Sequence, residues 1–269
     1  MPADRVDGVA WREVVEVSGG VSAVRRDQVA EEVPLAIHCN GEPLAVMMVS
    51  PCDLEDFAHG FALTELGLGP GDLVSVVLQS LLEGIQLDLR TRDPLPARAV
   101  DPQRWLPGRS GCGICGHRHL EDVVRQPAAV GQGRAIASSA LEVALRQIEQ
   151  RQPLNAATGA IHAAAWARVD GSLVLVREDV GRHNALDKLI GAMQREGVDP
   201  ASGFALVTSR ASYEMVAKAA MAGIPFLAAI SAPTALAVDL AIGCGLTLVG
   251  FTRPGRHVVY SHTRRMAQA

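Results

Sequence analysis

Aromatic residues are scarce in this chain of 269 residues: three Trp, two Tyr and five Phe. With hydrophobic residues at 48%, Ala, Val and Leu must supply most of the core. There is no excess of basic charge, since 25 Lys and Arg stand against 29 Asp and Glu, a net charge of −4. That balance argues against a nucleic-acid binder, which carries a basic footprint. No 18-residue stretch is free of polar interruption, so no segment reads as a membrane span. The first residues, MPADRVDGVAWREVVEV, place charges where a signal peptide needs an apolar run. Cysteines number five, too few and of the wrong parity for a disulfide framework. Together these absences point to a cytoplasmic globular protein with reduced thiols.

What is present reads as an α/β chain. Residues 1–28 are polar and partly alternating, an N-terminal arm of short edge strands or mobile chain. Asn40-Gly41 between apolar runs signals a hairpin. Ser50-Pro51 is positioned to open a helix that Gly67 ends, and residues 73–90 read as two strands around Glu83-Gly84. Residues 29–110 thus form a small α/β domain, and its last part, dense in Pro and Gly, leads into a connector at 111–135. From residue 136 to 269, helices alternate with strands. Ser138 or Ser139 is placed to cap Ala140–Arg151, and Asp170-Gly171 marks another hairpin. This alternation predicts a largely parallel sheet covered by helices.

The connector carries Gly111-Cys112-Gly113-Ile114-Cys115-Gly116. Two cysteines at this spacing can share a metal, form a redox pair or carry sulfur as a persulfide; each requires a thiolate. His117 and His119 follow, and four ligands so compressed do not readily make a zinc tetrahedron. Cys39, Cys52 and Cys244 lie in or beside apolar runs and read as structural.

Four polar loops follow strands of the second half. Arg177-Glu178-Asp179-Val180-Gly181-Arg182-His183-Asn184 joins a strand to a helix, where backbone amides receive anions and Arg182 and His183 add donors. Thr208-Ser209-Arg210-Ala211-Ser212-Tyr213-Glu214-Met215 repeats the design, with Ser209, Ser212 and the helix amides suited to a phosphate and Arg210 supplying charge. Ser231-Ala232-Pro233-Thr234 repeats it again. Phe251-Thr252-Arg253-Pro254-Gly255-Arg256 offers two guanidinium groups around a turn, suited to a pyrophosphate or a base. Successive loops of this kind predict one shared cleft outside the carboxyl ends of the strands. His162 is a weaker candidate for the same cleft. Walker A, HExxH and GxSxG motifs are absent, and no H-x-E precedes the CxxC as zinc deaminases require.

GCGICG, TGAIHAAAW, EDVGRHNALDKLIG, SRASYEMVAKAAMAGIPFLAAISAPTALAV and GLTLVGFTRPGR, with AEEVPLAI, NGEPLAVMM and SPCDLEDFAHGFALTE upstream, resemble the FdhD family of formate dehydrogenase accessory sulfurtransferases. The resemblance implies a fold: a small N-terminal α/β domain and a C-terminal cytidine-deaminase-like three-layer α/β/α domain, assembled as a homodimer. It also implies a function. A cysteine desulfurase passes persulfide sulfur to Cys112, with Cys115 assisting, and the sulfur is delivered to molybdenum bis(molybdopterin guanine dinucleotide) for formate dehydrogenase. The same resemblance assigns the turn Phe251, Thr252, Arg253, Pro254, Gly255 and Arg256 to that cofactor, at a site that also accepts a guanine nucleotide.

Overall fold

The structure, a computed structural model, describes residues 8–95 and 127–267. Cys112, Cys115 and the connector around them lie outside the described residues.

Strands β1 (Val9–Ser18) and β2 (Val21–Ala30) pair antiparallel as a two-stranded ribbon across Gly19-Gly20. Next come β3 (Val33–Cys39), β4 (Glu42–Val49), α1 (Leu54–Leu66), β5 (Leu73–Ser80) and β6 (Ile85–Thr91). The strands form a sheet of order β4-β3-β6-β5 in which only β3 and β6 run parallel. Asn40 and Gly41 both take positive φ between β3 and β4, as the hairpin signal requires.

The helix after β4 starts later than Ser50-Pro51 implies. Its first residue is Leu54, and Asp53 precedes it in the left-handed region at φ 51°. Ser50 does not cap it. Its backbone N–H donates to Asp179 Oδ2 at 3.0 Å, and its hydroxyl accepts from Val180 N at 3.1 Å. Partners 129 and 130 residues away overrode the local capping preference.

The second half runs α2 (Ser138–Gln150), α3 (Pro153–Thr158), β7 (His162–Arg168), β8 (Leu173–Asp179), α4 (Arg182–Arg195), β9 (Gly203–Val207), α5 (Tyr213–Met221), β10 (Phe226–Ala229), α6 (Ala235–Cys244), β11 (Thr247–Arg253) and β12 (Arg256–Val259). Ala137, not a serine, is the N-cap of α2, and no side chain caps it. The sheet order is β12-β11-β10-β9-β7-β8. It is mixed rather than largely parallel: β9, β10 and β11 are parallel, whereas β7 is antiparallel to both of its neighbours and β12 to β11. The tight hairpin at Asp170-Gly171 reverses the chain at once and leaves no crossover to make β7 and β8 parallel.

Helices cover both faces of this sheet. Leu186, Leu189 and Ile190 of α4, Met215 and Val216 of α5, and Leu240 of α6 pack on the face bearing Ala164, Trp166, Val207 and Leu227. Leu141, Leu145 and Ile148 of α2 pack on the other, against Ala165, Phe204, Leu206 and Phe226. Alternate residues of each strand enter alternate cores, as the pleat dictates.

α1 joins the halves. Phe57 and Phe61 bury against Leu35, Ile37, Leu87 and Leu89 of the four-stranded sheet. Its opposite side meets α4 backbone to backbone. A Cβ on Gly60 would lie 1.8 Å from Asp187 O, and one on Gly191 would lie 1.8 Å from Asp56 O. Only glycine fits at either position.

Candidate functional site

β8 is antiparallel to β7 and β7 to β9, so β8 runs parallel to β9, β10 and β11. The carboxyl ends of these four strands therefore lie along one edge of the sheet, together with the start of β7. That edge collects His162, Arg182, His183, Ser209, Arg210, Ser231 and the turn Phe251 to Arg256. The loops anticipated from sequence thus share one margin of the sheet, with β8 and β11 ~19 Å apart at four strand spacings.

Not every residue of the β8–α4 loop faces that margin. Asp179 is fully buried. It accepts from Ser50 N at 3.0 Å, Gly181 N at 2.8 Å and Asn184 Nδ2 at 2.9 Å, and pairs with Lys188 Nζ at 2.7 Å. Lys188, also fully buried, further donates to the carbonyls of Ser50 and Glu178. Glu178 accepts from the amides of Leu154 and Asn155 at 3.0 and 2.9 Å. Asp187 accepts from Thr64 Oγ1 at 2.7 Å and pairs with Lys218, which also meets Glu65. The two carboxylates keep the Lys218 ammonium above its ordinary pKa, outweighing the burial that opposes its charge. Arg177 pairs with Asp56 at 2.7 Å. Much of EDVGRHNALDK is therefore cement between α4 and the N-terminal unit. The sequence pattern gave no sign of this, because the partners Ser50, Asp56 and Thr64 lie more than 100 residues upstream.

The residues left for a ligand are those whose polar atoms lack partners. Buried side-chain atoms without a hydrogen bond include Arg182 Nε, His183 Nε2, Asn184 Oδ1, Ser212 Oγ and Thr252 Oγ1. All of these lie in the strand-end loops or at the helix starts that follow them, whereas Gln152 Oε1, also without a partner, lies before α3. Buried polar groups are ordinarily satisfied, so their concentration at one edge marks a place prepared for a polar partner. His183 Nε2 stands 3.9 Å from Glu214 Oε2. Burial pushes the Glu214 carboxyl up, but His183 and Ser212 outweigh it and hold its pKa at about 2. His162 is lowered by burial and by neighbouring Arg182 and His183. Ser212 and His183 are among the donors anticipated from sequence, but Glu214 has no role there, where Tyr213–Ala222 reads simply as a helix.

The last loop is the hairpin turn between β11 and β12. Phe251 takes φ 50°, uncommon for a bulky residue, and is 40% exposed. Thr252 is buried. Arg253 donates to the Ile230 carbonyl at 2.6 Å, so its guanidinium ties this turn to the loop after β10. Gly255 N donates to Glu142 Oε1 at 3.2 Å, and Pro254 and Arg256 are exposed. Ser209 is buried and donates to the Arg210 carbonyl, while the Arg210 side chain is exposed. The edge thus offers Arg182, Arg210 and Arg256 as cations, with Asp179 already neutralised by Lys188.

Cys39, Cys52 and Cys244 are free thiols, and burial pushes each pKa up. Cys52 lies 3.8 Å from Lys188 Nζ, yet burial still dominates.

The model of the FdhD/NarQ family matches residues 30–267. The sulfur carrier protein FdhD of Xanthomonas campestris pv. campestris is 54% identical over 262 residues, covering 96% of this chain and 92% of the relative. The protein of the same name from Bordetella bronchiseptica is 48% identical over 269 residues, covering 98% and 97%. In fold, the chain is similar to a putative formate dehydrogenase accessory protein from Desulfotalea psychrophila, with a TM-score of 0.76, 24% identity, and coverage of 96% of this chain and 99% of that one. With the family's pattern running from the first sheet to the chain's last turn, this chain belongs to the FdhD/NarQ family.

Proposed function

We propose that this protein is a sulfurtransferase. It accepts persulfide sulfur from a cysteine desulfurase on Cys112 and delivers it to molybdenum bis(molybdopterin guanine dinucleotide), the cargo that formate dehydrogenase requires. The observation that carries the reading is the state of the other thiols. A persulfide carrier must present a thiolate to two partners, and the three cysteines among the described residues are held as thiols by burial. That leaves Cys112 and Cys115, flanked by glycines in a Pro/Gly-rich stretch.

The strand-end edge supports the second half of the reading. Arg182, His183, Ser209, Arg210 and the turn Phe251-Thr252-Arg253-Pro254-Gly255-Arg256 supply cations, hydroxyls and helix N-termini for pyrophosphates, and Phe251, itself exposed, offers a stacking surface. A cofactor with two nucleotide arms needs an extended margin, and the polar loops of β8, β9, β10 and β11 line one. Cys112 precedes Pro127, where the described chain resumes, by 15 residues. That length spans at most about 50 Å, enough to reach either edge of the sheet. The site of action is the cytoplasm, where thiols stay reduced.

The test is formate dehydrogenase activation in a strain lacking the native accessory protein. Cys112→Ser should abolish activation while retaining GDP binding, and Arg256→Ala should weaken GDP binding. Full activation by Cys112→Ser would contradict the sulfur-transfer step and leave only a cofactor-holding role.

A further inference from the structure

The free edges of the sheets are not alike. Along β8, Leu173 N donates to Gln147 Oε1 at 3.1 Å, and the Leu173 carbonyl accepts from Arg151 at 2.7 Å. On β4 the Met48 carbonyl accepts from Asn184 Nδ2 at 2.9 Å. β12 is four residues long and begins with a cation, Arg256. The β1–β2 ribbon carries Arg12, Glu13, Glu16, Arg25, Arg26 and Asp27. Side-chain cover, shortness and charge are the usual means of keeping an edge from pairing. β5 has none of them. It ends the four-stranded sheet, is eight residues long, and pairs on its outer side with no strand among the described residues. From Leu73 to Leu82 the chain holds neither a charged residue nor a proline. Val74 is 63% exposed, Val77 53%, and Leu82 in the following turn 98%.

The hairpin with β6 fixes which amides are free. Leu81 N donates to Gly84 O at 2.8 Å, and the register then sets Gln79 opposite Gln86, Val77 opposite Asp88 and Ser75 opposite Arg90. Antiparallel pairs alternate between bonded and non-bonded. Counting from Leu81, the backbone groups of Gln79, Val77 and Ser75 face β6, whereas those of Val76, Leu78 and Ser80 face outward.

We propose that β5 is a docking edge on which an extended, uncharged segment of a partner protein adds as a fifth strand. The backbone selects the conformation: donors and acceptors repeating at every second residue are satisfied together only by another extended chain. Charge selects the sequence. A charged side chain opposite Val77 or Leu78 would be desolvated with no counter-ion on β5, so the segment is uncharged along the contact. A cation fits only beyond it, where Glu83 is exposed. Val77 and Leu78 point to opposite faces of the sheet, so the segment is β-branched or apolar on both. The proposal is independent of the cofactor margin, which belongs to the six-stranded sheet.

The probe is a fluorescein-labelled peptide, Lys-Val-Ile-Thr-Val-Ile-Thr-Lys, titrated against the full chain by fluorescence polarisation. Wild type should bind it saturably, and hydrogen exchange should slow at the amides of Val76, Leu78 and Ser80 but not at Val77 or Gln79. Leu78→Pro removes one outward N–H and leaves the β5–β6 ladder whole; it should weaken binding about tenfold. Val77→Lys, at an exposed position, should do the same with an unchanged melting temperature. The peptide N-methylated at alternate residues should not bind. No binding by wild type, equal binding of the N-methylated peptide, or equal binding by Val77→Lys would overturn the proposal. A mass of four chains in light scattering that falls to two in Val77→Lys would assign the edge to a second copy and overturn it as well.

Discussion

Asp179 shows how a residue within a candidate binding loop becomes a fastener. Its carboxylate gathers the Lys188 ammonium, two backbone amides and the Asn184 amide with no exposure to solvent. Removing one partner of a buried pair leaves an uncompensated charge, which costs about 3–5 kcal/mol. Asp179→Ala should therefore lower stability by about that amount in urea unfolding. A loss under ~1 kcal/mol would contradict this account of Lys188. Glu214 gives a pH signature. Its folded pKa is depressed, so its contribution is full above the ordinary carboxylate value of 4.5 and is lost as pH falls toward about 2. Melting temperatures should accordingly fall more steeply across that window for wild type than for Glu214→Gln.

At the scale of elements, the closest contact is between α1 and α4, where Gly60 and Gly191 allow the backbones to touch. A methyl group at either position meets a carbonyl oxygen that no side-chain rotation can move aside. Overpacking of this kind costs about 1–3 kcal/mol or more. Gly60→Ala and Gly191→Ala should each lower the melting temperature by several degrees, about 2–4 °C per kcal/mol for a chain of this size. Gly197→Ala is the control for space: nothing lies within 4 Å of its Cβ position, and its cost is confined to its φ of 66°. This contrast also marks what was legible in the sequence. Asn40-Gly41 and Asp170-Gly171 declare their turns locally, and the helical spacing from Leu54 to Leu66 declares α1. Gly60 inside that helix carries no local signal, because its necessity comes from α4, more than 100 residues away. The same distance hides the start of α1, where Ser50 is drawn to Asp179 and Val180. β12 escapes a local reading too, since its four residues owe their extended form to pairing with β11.

The whole molecule is layered: four-stranded sheet, α1, the α4–α6 helices, six-stranded sheet, α2. The polar edge of the larger sheet was legible because strand-end loops rich in Arg, Ser and His recur at each βα junction. Its division into cement and open donors was not, since that depends on which side chains find partners in the N-terminal unit. Outside these layers stands the β1–β2 ribbon, with Val15 and Val24, directly opposed, 63% and 68% exposed, and Val17, Val21 and Trp11 also exposed. A two-stranded ribbon is marginal by itself in water. The homodimer that the family resemblance implies is proposed to cover that apolar surface. Light scattering should give the mass of two chains, and Val15→Lys with Val24→Lys should shift it to one. A wild-type mass of one chain would exclude that assembly.

The central claim is that Cys112 carries sulfur. Intact-protein mass spectrometry after incubation with an active cysteine desulfurase and cysteine addresses it most directly. The account predicts a gain of one sulfur atom on wild type, reversed by reductant, absent in Cys112→Ser and retained when Cys39, Cys52 and Cys244 are replaced. A wild-type protein that gains no sulfur, or a Cys112→Ser protein that gains it equally, would contradict it.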